Sequence, residues 1–409
     1  MKLLAISEHY YPRMGGTVSY LHETLSALVR QGVDVELWVP GPPPANWRTA
    51  GMAPPLYQVI WIDADYPELG DPSREQRYAF CAAVKDRAQQ RAASANAPDI
   101  LHVLFGVFIM EMLDTEALRA AGMPSMATVH NVPPQECRLV APGAPLAKRL
   151  KEVARLKFVG WKNRKRLRAN WWDEIIVPSD HVRDLLAQIL RGQTITVIGH
   201  GPTSALLERM TPPRTRQPEP GAPVRLLTAG GYAPHKRQHI IPEVAARLRD
   251  AGVVFEWDVV GPAGRVAFYH DGVVQAAYAA GLSDRVHIRT GVPIGELAAL
   301  YDAAHLYVQP SIEEGFCITA LDAAAAGLPV IASPAGALAR IAEASFGALV
   351  DSDPEQLAQA ITDFVDEDRW GNAAAQAHSI RKHFSWEAAA EALRARYAAL
   401  LSQAKVAHV

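Results

Sequence analysis

The feature that most constrains the fold is a strand, a turn and a helix that follow one another between Leu306 and Gly327. Residues 306–309 form a mostly apolar run, and Pro310 lacks the N–H group that a sheet hydrogen bond needs, so a strand must end there. After Gly315 the chain is rich in alanine, which favours a helix, and Gly327 followed by Pro329 ends it. The segment therefore predicts a β–α unit whose helix begins just past the carboxyl end of a buried strand.

Two acidic residues lie in this unit, at the edge where open parallel sheets bind their ligands. The free N–H groups and the positive end of a helix dipole at this edge suit a phosphate group. Glu314 and Asp322 are eight residues apart, which on a helix would separate them by roughly 12 Å, so one nucleotide sugar could contact both. The alternative is that Glu314 is a loop carboxylate and Asp322 an exposed charge, and that neither binds a ligand.

The residues from Pro310 to Asp322 resemble the signature of the retaining glycosyltransferases of family 4, which have the GT-B fold. That signature reads Pro, Ser, two variable residues, then Glu-Gly-Phe-Gly and a second Glu, and seven residues separate the two acids there as here. In this chain Asp322 stands for the second acid and Cys317 for the last glycine. The resemblance implies that Glu314 contacts the donor hexose and that Asp322 contacts the ribose hydroxyls.

The start of the helix is a further candidate for donor binding. Its free N–H groups would stabilise the charge of the departing diphosphate. The candidate donor-binding residues there are Gly315, Phe316, Cys317 and Ile318.

Length and composition limit the alternatives. A chain of 409 residues predicts two domains, and a net charge of −2 gives no overall attraction to nucleic acid. The three cysteines, Cys81, Cys137 and Cys317, are scattered and odd in number, which argues against a disulfide framework and favours the cytoplasm. No sequence window approaches the roughly 20 apolar residues of a transmembrane span, so any membrane contact is expected to be peripheral.

The chain begins with another β–α unit. Residues 3–7 predict a buried strand, and Gly15 and Gly16 lie in the turn before a helix that Thr17 can cap. The turn has no Gly-x-Gly-x-x-Gly, so a nicotinamide-linked dehydrogenase loses its main fingerprint. Paired glycines more often only make a turn, but the resemblance implies that this loop faces the phosphate and hexose of the donor.

Strand and helix patterns alternate from there on, which predicts a parallel sheet covered on both faces. His130 directly follows Val129 at the end of one predicted strand. A loop histidine without a role is an open alternative. The resemblance places His130 beside the transferred sugar, where it would orient the donor hexose rather than act as a general base.

A basic amphipathic stretch follows. Ten basic residues and one acid lie from Lys148 to Arg168, with Trp161 among them and Trp171 and Trp172 just after, while apolar residues recur at helical spacing from Leu146. Each basic side chain near an anionic surface contributes about 1 kcal/mol, so residues 148–172 could attach reversibly to a membrane. A solvated helix face is an equally good interpretation.

A proline-rich segment up to Pro223 predicts a linker, and the β–α pattern then restarts. The predicted organisation is an acceptor-side domain over 1–205, a nucleotide-sugar domain over 206–384 and a last helix over 385–409 that crosses back to the first domain.

In the family, the loop after the first strand of the second domain carries an arginine five residues before a lysine, and both bind the diphosphate. Lys236 fits the lysine, but Gly231 replaces the arginine. The missing charge could come from His235, Arg237 or Arg13.

The fold class predicted is α/β, of GT-B type, with two Rossmann-like parallel-sheet domains that face each other across a cleft. The predicted enzyme is a retaining hexosyltransferase of polysaccharide biosynthesis, in which Glu314, Lys236 and His130 are the catalytic candidates. Its partners would be a nucleoside-diphosphate sugar and a saccharide, lipid-linked or small-molecule acceptor, with no metal, no cofactor and no nucleic acid. An inactive or regulatory sugar-nucleotide-binding subunit, an epimerase and a phosphorylase remain alternatives.

Overall fold

The structure, a computed structural model, describes residues 1–11, 15–44, 54–62, 65–67, 71–132, 137–141, 143–264, 266–367 and 369–407. Arg13, one candidate for the missing charge, lies outside these residues. The chain divides into two compact units. Unit 1 comprises the described residues of 1–132, 160–200 and 385–409, and unit 2 those of 133–159 and 201–384.

Unit 1 is built on a sheet of seven strands, all parallel, in the order β3-β2-β1-β4-β5-β6-β7. The strands are β1 (Lys2–Ser7), β2 (Asp34–Pro40), β3 (Gln58–Ile62), β4 (Ile100–Phe105), β5 (Ser125–Thr128), β6 (Glu174–Val177) and β7 (Ile195–Val197). Strands β4, β5 and β6 are buried along almost their whole length, as expected of a parallel sheet covered on both faces.

The helices between β1 and β7 among the described residues are α1 (Gly16–Arg30), α2 (Arg74–Ala92), α3 (Val107–Met112), α4 (Thr115–Ala120), α5 (Leu146–Leu167) and α6 (Asp180–Ile189). Helix α2 begins with a full capping box, in which Ser73 and Gln76 satisfy each other's backbone N–H groups. Helix α5 is the long basic segment, and the predicted helical spacing from Leu146 is confirmed.

Unit 2 contains a parallel sheet of six strands in the order β10-β9-β8-β11-β12-β13. The strands are β8 (Val224–Ala229), β9 (Phe255–Val260), β10 (Val286–Arg289), β11 (Leu306–Gln309), β12 (Val330–Ala332) and β13 (Ala348–Leu349). The helices are α7 (Ser204–Leu207), α8 (Ile241–Asp250), α9 (Ala267–Ala279), α10 (Ile294–Ala303), α11 (Ile318–Ala325), α12 (Leu338–Ala344), α13 (Pro354–Asp366) and α14 (Asn372–His383). The two parallel sheets with their helices confirm the predicted α/β class.

The last helix, α15 (Trp386–Ala407), packs within unit 1 rather than unit 2. Tyr397 Oη lies 2.7 Å from Nδ1 of His102, which is fully buried in strand β4. Arg396 donates to the buried Glu174 at 2.7 Å. These polar contacts fix the helix against the sheet of unit 1, because a buried carboxylate or imidazole needs its partner.

Candidate functional site

The strand order of the unit 2 sheet reverses between β8 and β11. From β8 the chain continues to β9 on one side, and from β11 it continues to β12 on the other, so the loops after β8 and β11 diverge at their carboxyl ends. Open parallel sheets bind ligands in the crevice that such diverging loops leave. Lys236 lies in the loop after β8 and Glu314 in the loop after β11.

The structure brings these two predicted residues into direct contact. Lys236 Nζ donates to Glu314 Oε1 at 2.6 Å, with side chains 18% and 9% exposed. Ser311 Oγ donates to the same oxygen at 2.8 Å, and Gln309 donates to Ser311 Oγ at 2.7 Å. The carboxylate of Glu314 is therefore held in one orientation by a chain of hydrogen bonds that starts in strand β11.

The contact between Lys236 and Glu314 affects the charge states of the ionisable groups in the site. Burial raises the pKa of Glu314, but the ammonium of Lys236, nearby His235 and the hydrogen bonds from Lys236 and Ser311 outweigh burial and hold the pKa below its usual value. Burial, followed by repulsion from Lys236, lowers the pKa of His235 to about 4. At neutral pH the site therefore contains an ionised carboxylate, an ammonium and a neutral imidazole.

A short turn presents Lys236. Residues Pro234–Lys236 form a 3-10 turn, and Arg237 adopts the left-handed conformation with φ 57°. The carbonyl of His235 accepts from the N–H of Ile312 at 2.9 Å, which joins this turn to the loop of Glu314. A left-handed arginine stores strain of about 1 kcal/mol, so the turn is specified by its surroundings rather than by local preference.

Helix α11 begins at Ile318, so Glu314 lies in the loop before it. The distance estimated from placing Glu314 and Asp322 on one helix is therefore wrong. Cys317 precedes the helix at φ 74°, and burial, together with the charge of Glu314, raises the pKa of its thiol to about 12. The sequence predicts a helix that begins just after Gly315, but Phe316 and Cys317 still lie in the loop and Ile318 is the first helical residue.

Asp322 has a partner that the sequence did not reveal. It is 2% exposed, and its carboxylate accepts from the N–H of Thr203 at 2.6 Å and from the Thr203 hydroxyl at 3.0 Å. Thr203 precedes α7, far from Asp322 in sequence but in the same unit. A ribose hydroxyl at Asp322 would have to share the carboxylate with Thr203.

The remaining predicted residues are in unit 1. Gly15 precedes helix α1 and Gly16 is its first residue, and the carbonyl of Gly15 accepts from the N–H groups of Val18 and Ser19. His130 follows β5, and its Nε2 donates to the carbonyl of Leu104 at 2.9 Å. Burial lowers the pKa of His130 to about 4, so its ring is neutral at physiological pH.

One partner of Glu314 could not be identified from the sequence. Ser311 belongs to the quoted signature, yet only the structure shows its hydrogen bond to Glu314.

Residues 14–202 match the model of Glycosyltransferase Family 4, and residues 213–382 match that of Glycosyl transferases group 1. A D-inositol 3-phosphate glycosyltransferase of Streptosporangium roseum is 34% identical over 187 residues, covering 43% of this chain and 42% of that protein. The corresponding protein of Corynebacterium efficiens is 25% identical over 97% of this chain and 95% of its own length. The chain thus spans about two fifths of the length of the first curated relatives that it matches.

Solved structures show the same fold. Sucrose-phosphate synthase from Thermosynechococcus elongatus superposes with a TM-score of 0.72 at 20% identity, covering 98% of this chain and 99% of that one. Anabaena HepE in complex with UDP and glucose superposes with a TM-score of 0.66 at 17% identity, covering 98% and 100%. The fold expected from the sequence is confirmed by these neighbours.

Proposed function

Because this chain belongs to the family 4 glycosyltransferases, we propose that it transfers a hexose from a nucleoside-diphosphate sugar to an acceptor hydroxyl with retention of anomeric configuration. The observation that carries the proposal is the Lys236–Glu314 pair, which lies at the carboxyl edge of the sheet beside the start of α11. Such an arrangement offers a cation and free N–H groups to a diphosphate and a fixed carboxylate to a sugar.

The demanding event is departure of the diphosphate. The bond from the anomeric carbon to the phosphate oxygen breaks, and a bond to the acceptor oxygen forms on the same face of the sugar. The acceptor's proton passes to the departing phosphate, which needs no protein base. Lys236 and the N–H groups after Gly315 stabilise the charge that develops, and Glu314 aligns the ring. In this proposal the reaction requires neither a metal nor a further cofactor.

The other predicted residues have supporting roles in the proposal. His130 orients the hexose as a neutral imidazole, since its lowered pKa leaves Nδ1 as an acceptor while Nε2 donates to Leu104. Gly15 and Gly16 let the backbone approach the donor closely. Asp322 contacts the ribose alongside Thr203. D-inositol 3-phosphate, named for the relatives, is one candidate acceptor.

Thermal stabilisation by nucleotides tests the proposal. We expect one of UDP, GDP, ADP and dTDP, and its hexose conjugates, to raise the melting temperature, because a ligand that binds only the native state stabilises it. At a concentration one hundred times Kd the gain would be about 2.7 kcal/mol. Binding followed by release of the nucleoside diphosphate in the presence of an acceptor supports transfer. Binding of a nucleotide without release of the diphosphate in the presence of any acceptor supports the inactive-subunit alternative. If none of the four nucleotides or their hexose conjugates shifts the melting temperature, the proposal is contradicted.

A second part of the proposal concerns helix α5. The structure exposes a row of apolar side chains on this helix: Leu146, Leu150, Val153, Phe158 and Trp161 are 49–68% exposed. Lys148, Arg149 and Lys151 are also exposed on the same helix. No helix among the described residues is both long and apolar enough to cross a bilayer. We propose that α5 lies on an anionic membrane surface, with its apolar row inserted and its cations at the headgroups.

Vesicle sedimentation tests the membrane contact. The wild-type protein is expected to sediment with vesicles that contain anionic lipid and to remain in solution with neutral vesicles or at high salt. Replacing Leu150 and Phe158 by Glu should abolish sedimentation while leaving the nucleotide-induced thermal shift unchanged. Phe268, exposed on α9 of unit 2, provides the matched control, since Phe268→Glu removes an equally exposed apolar side chain outside α5. Unchanged sedimentation of the α5 variant would refute the contact.

A further inference from the structure

Asp322 of helix α11 is bound by a residue from the start of unit 2. Thr203 donates its backbone N–H to Asp322 Oδ1 at 2.6 Å and its hydroxyl to Asp322 Oδ2 at 3.0 Å. Because the two donors reach different oxygens of one carboxylate, they fix both its position and its plane. Asp322 is 2% exposed and Thr203 is half-buried, so the pair is partly shielded from water.

The hydroxyl of Thr203 could have had a different partner. Thr203 occupies the N-cap position of α7, where a threonine hydroxyl usually accepts from a backbone N–H of the helix, but its side chain makes no such bond. The Thr203 carbonyl still accepts from the N–H groups of Leu206 and Leu207, so the helix forms without a side-chain cap. The hydroxyl therefore serves the carboxylate of Asp322 rather than the helix that Thr203 begins.

The side chain of Asp322 benefits from this anchor. The resembled signature has a glutamate at this position, and aspartate is one methylene group shorter. An aspartate inside a helix can also turn toward nearby backbone groups, because its short side chain reaches them. The two bonds from Thr203 select one of the orientations that are open to the carboxylate.

The location of Asp322 suits the ribose of a nucleotide whose diphosphate lies at the start of α11. Asp322 is four residues past Ile318, the first residue of α11, which places it about 6 Å further along the helix axis. In the first turn, the hydroxyl of Thr319 donates to the carbonyl of Ala229 at 2.9 Å, which fixes the helix start at the end of strand β8. A carboxylate has about four acceptor positions, so Asp322 can accept from a ligand hydroxyl while both bonds from Thr203 remain.

We propose that Thr203 is a positioning residue for the ribose of the donor: it holds the carboxylate of Asp322 in the orientation that accepts from a ribose hydroxyl. The inference rests on the proposed function, because it takes the ligand to be a nucleoside diphosphate or its sugar. It gives a role in donor binding to the residues between β7 and β8, for which the sequence suggested none.

A second threonine of unit 2 makes the same pair of bonds and provides the matched control. Thr211 donates its N–H and its hydroxyl to the two carboxylate oxygens of Asp302, both at 2.9 Å. Asp302 lies near the end of α10, shortly before β11 begins, so this pair is at the amino edge of the sheet and the site is at the carboxyl edge. Valine at either threonine removes one hydroxyl bond to a carboxylate and keeps the size of the side chain.

Calorimetry with two ligands tests the proposal: the nucleoside diphosphate that stabilises the wild-type protein most, and its 2′,3′-dideoxy counterpart, which lacks both ribose hydroxyls. We expect the wild type to bind the first ligand about 10- to 100-fold more tightly than the second, as a hydrogen bond to a charged group allows. Thr203→Val should reduce this ratio about fivefold, and it should not change binding of the dideoxy ligand, because the diphosphate contacts are intact. Thr203→Ser should restore the ratio, and Thr211→Val should leave it unchanged.

A double variant shows whether Thr203 acts through Asp322. Asp322→Asn removes the charge but keeps the size of the side chain, and it should lower the ratio on its own. In that background Thr203→Val should lower the ratio no further, because both substitutions act on the same contact. Circular dichroism and melting temperature separate a folding defect from a binding defect, and Thr203→Ala replaces the valine variant if valine prevents folding.

Each outcome supports or overturns a different statement. If the wild type binds none of the nucleotides, the proposed function fails and the inference fails with it. If the wild type binds a diphosphate but does not distinguish it from the dideoxy counterpart, Asp322 makes no ribose contact, and the inference is wrong while the proposed function stands. If folded Thr203→Val keeps the ratio of the wild type, Thr203 has only a structural role and the inference is wrong. Tighter binding of the first ligand by Thr203→Val would show that Thr203 competes with the ribose, which also overturns the inference.

Discussion

Replacing Lys236 by alanine is expected to lower turnover at least about a hundredfold, because one preorganised cation facing developing charge contributes roughly 3 kcal/mol. The variant also leaves the carboxylate of Glu314 without the ammonium that holds it at 2.6 Å. Breaking a buried pair from one side costs about 3–5 kcal/mol of stability. Release of nucleoside diphosphate from the donor, measured with saturating donor and acceptor, gives the loss in kcat.

The double variant Lys236→Ala with Glu314→Gln separates the two effects. It removes both charges, so the melting temperature should recover toward that of the wild type while turnover stays low. Recovery of turnover along with stability would show that Lys236 acts only by holding the fold together. If the single Lys236→Ala variant has the kcat of the wild type, Lys236 takes no part in the mechanism.

Glu314→Gln is the second variant with a large expected effect. The amide keeps the size of the side chain and its bond to Ser311, but it loses the charge that aligns the hexose and binds Lys236. We expect turnover to fall at least about a hundredfold. Affinity for the nucleoside diphosphate alone should be kept or increase, because Lys236 no longer has to leave a carboxylate to reach the phosphate. The variant should no longer bind the intact nucleotide sugar more tightly than it binds the diphosphate.

Glu313→Gln is the matched control, since Glu313 is the adjacent carboxylate of the same loop and is also buried. It should retain most of the turnover and the preference for the intact donor. Equal losses in the two variants would mean that the loop, rather than the carboxylate of Glu314, is responsible. Glu314→Gln with normal kcat would contradict the proposed alignment of the sugar.

Local signals were sufficient to predict most of the sheet. Pro310 ended strand β11, Gly327 ended the alanine-rich helix, and strand β11 occurs where the apolar run of residues 306–309 predicted it. The approach to helix α11 was less predictable, because Cys317 adopts a left-handed conformation that a β–α turn usually reserves for glycine. That conformation delays the helix to Ile318 and leaves Glu314 in the loop.

Contacts between distant parts of the chain could not be predicted from the sequence. The bonds from Thr203 to Asp322 join residues more than a hundred positions apart, and no periodicity encodes such a pairing. Helix α9 was not predicted, because apolar residues occur on all its sides and the usual amphipathic stripe is missing. Glu314 and Lys236 could be named from a signature, but their contact required the structure.

Residues 137–141 and 143–159 group with unit 2, and this has a consequence for protein engineering. A chimera made by grafting residues 201–384 alone would join the new segment to residues 137–141 and 143–159 of the recipient, which belong to the same compact unit. The backbone at Cys137 and Leu139, together with Arg155 and Glu152 that bind it, would then come from the wrong parent. A graft designed on this molecule should be discontinuous and carry both segments together.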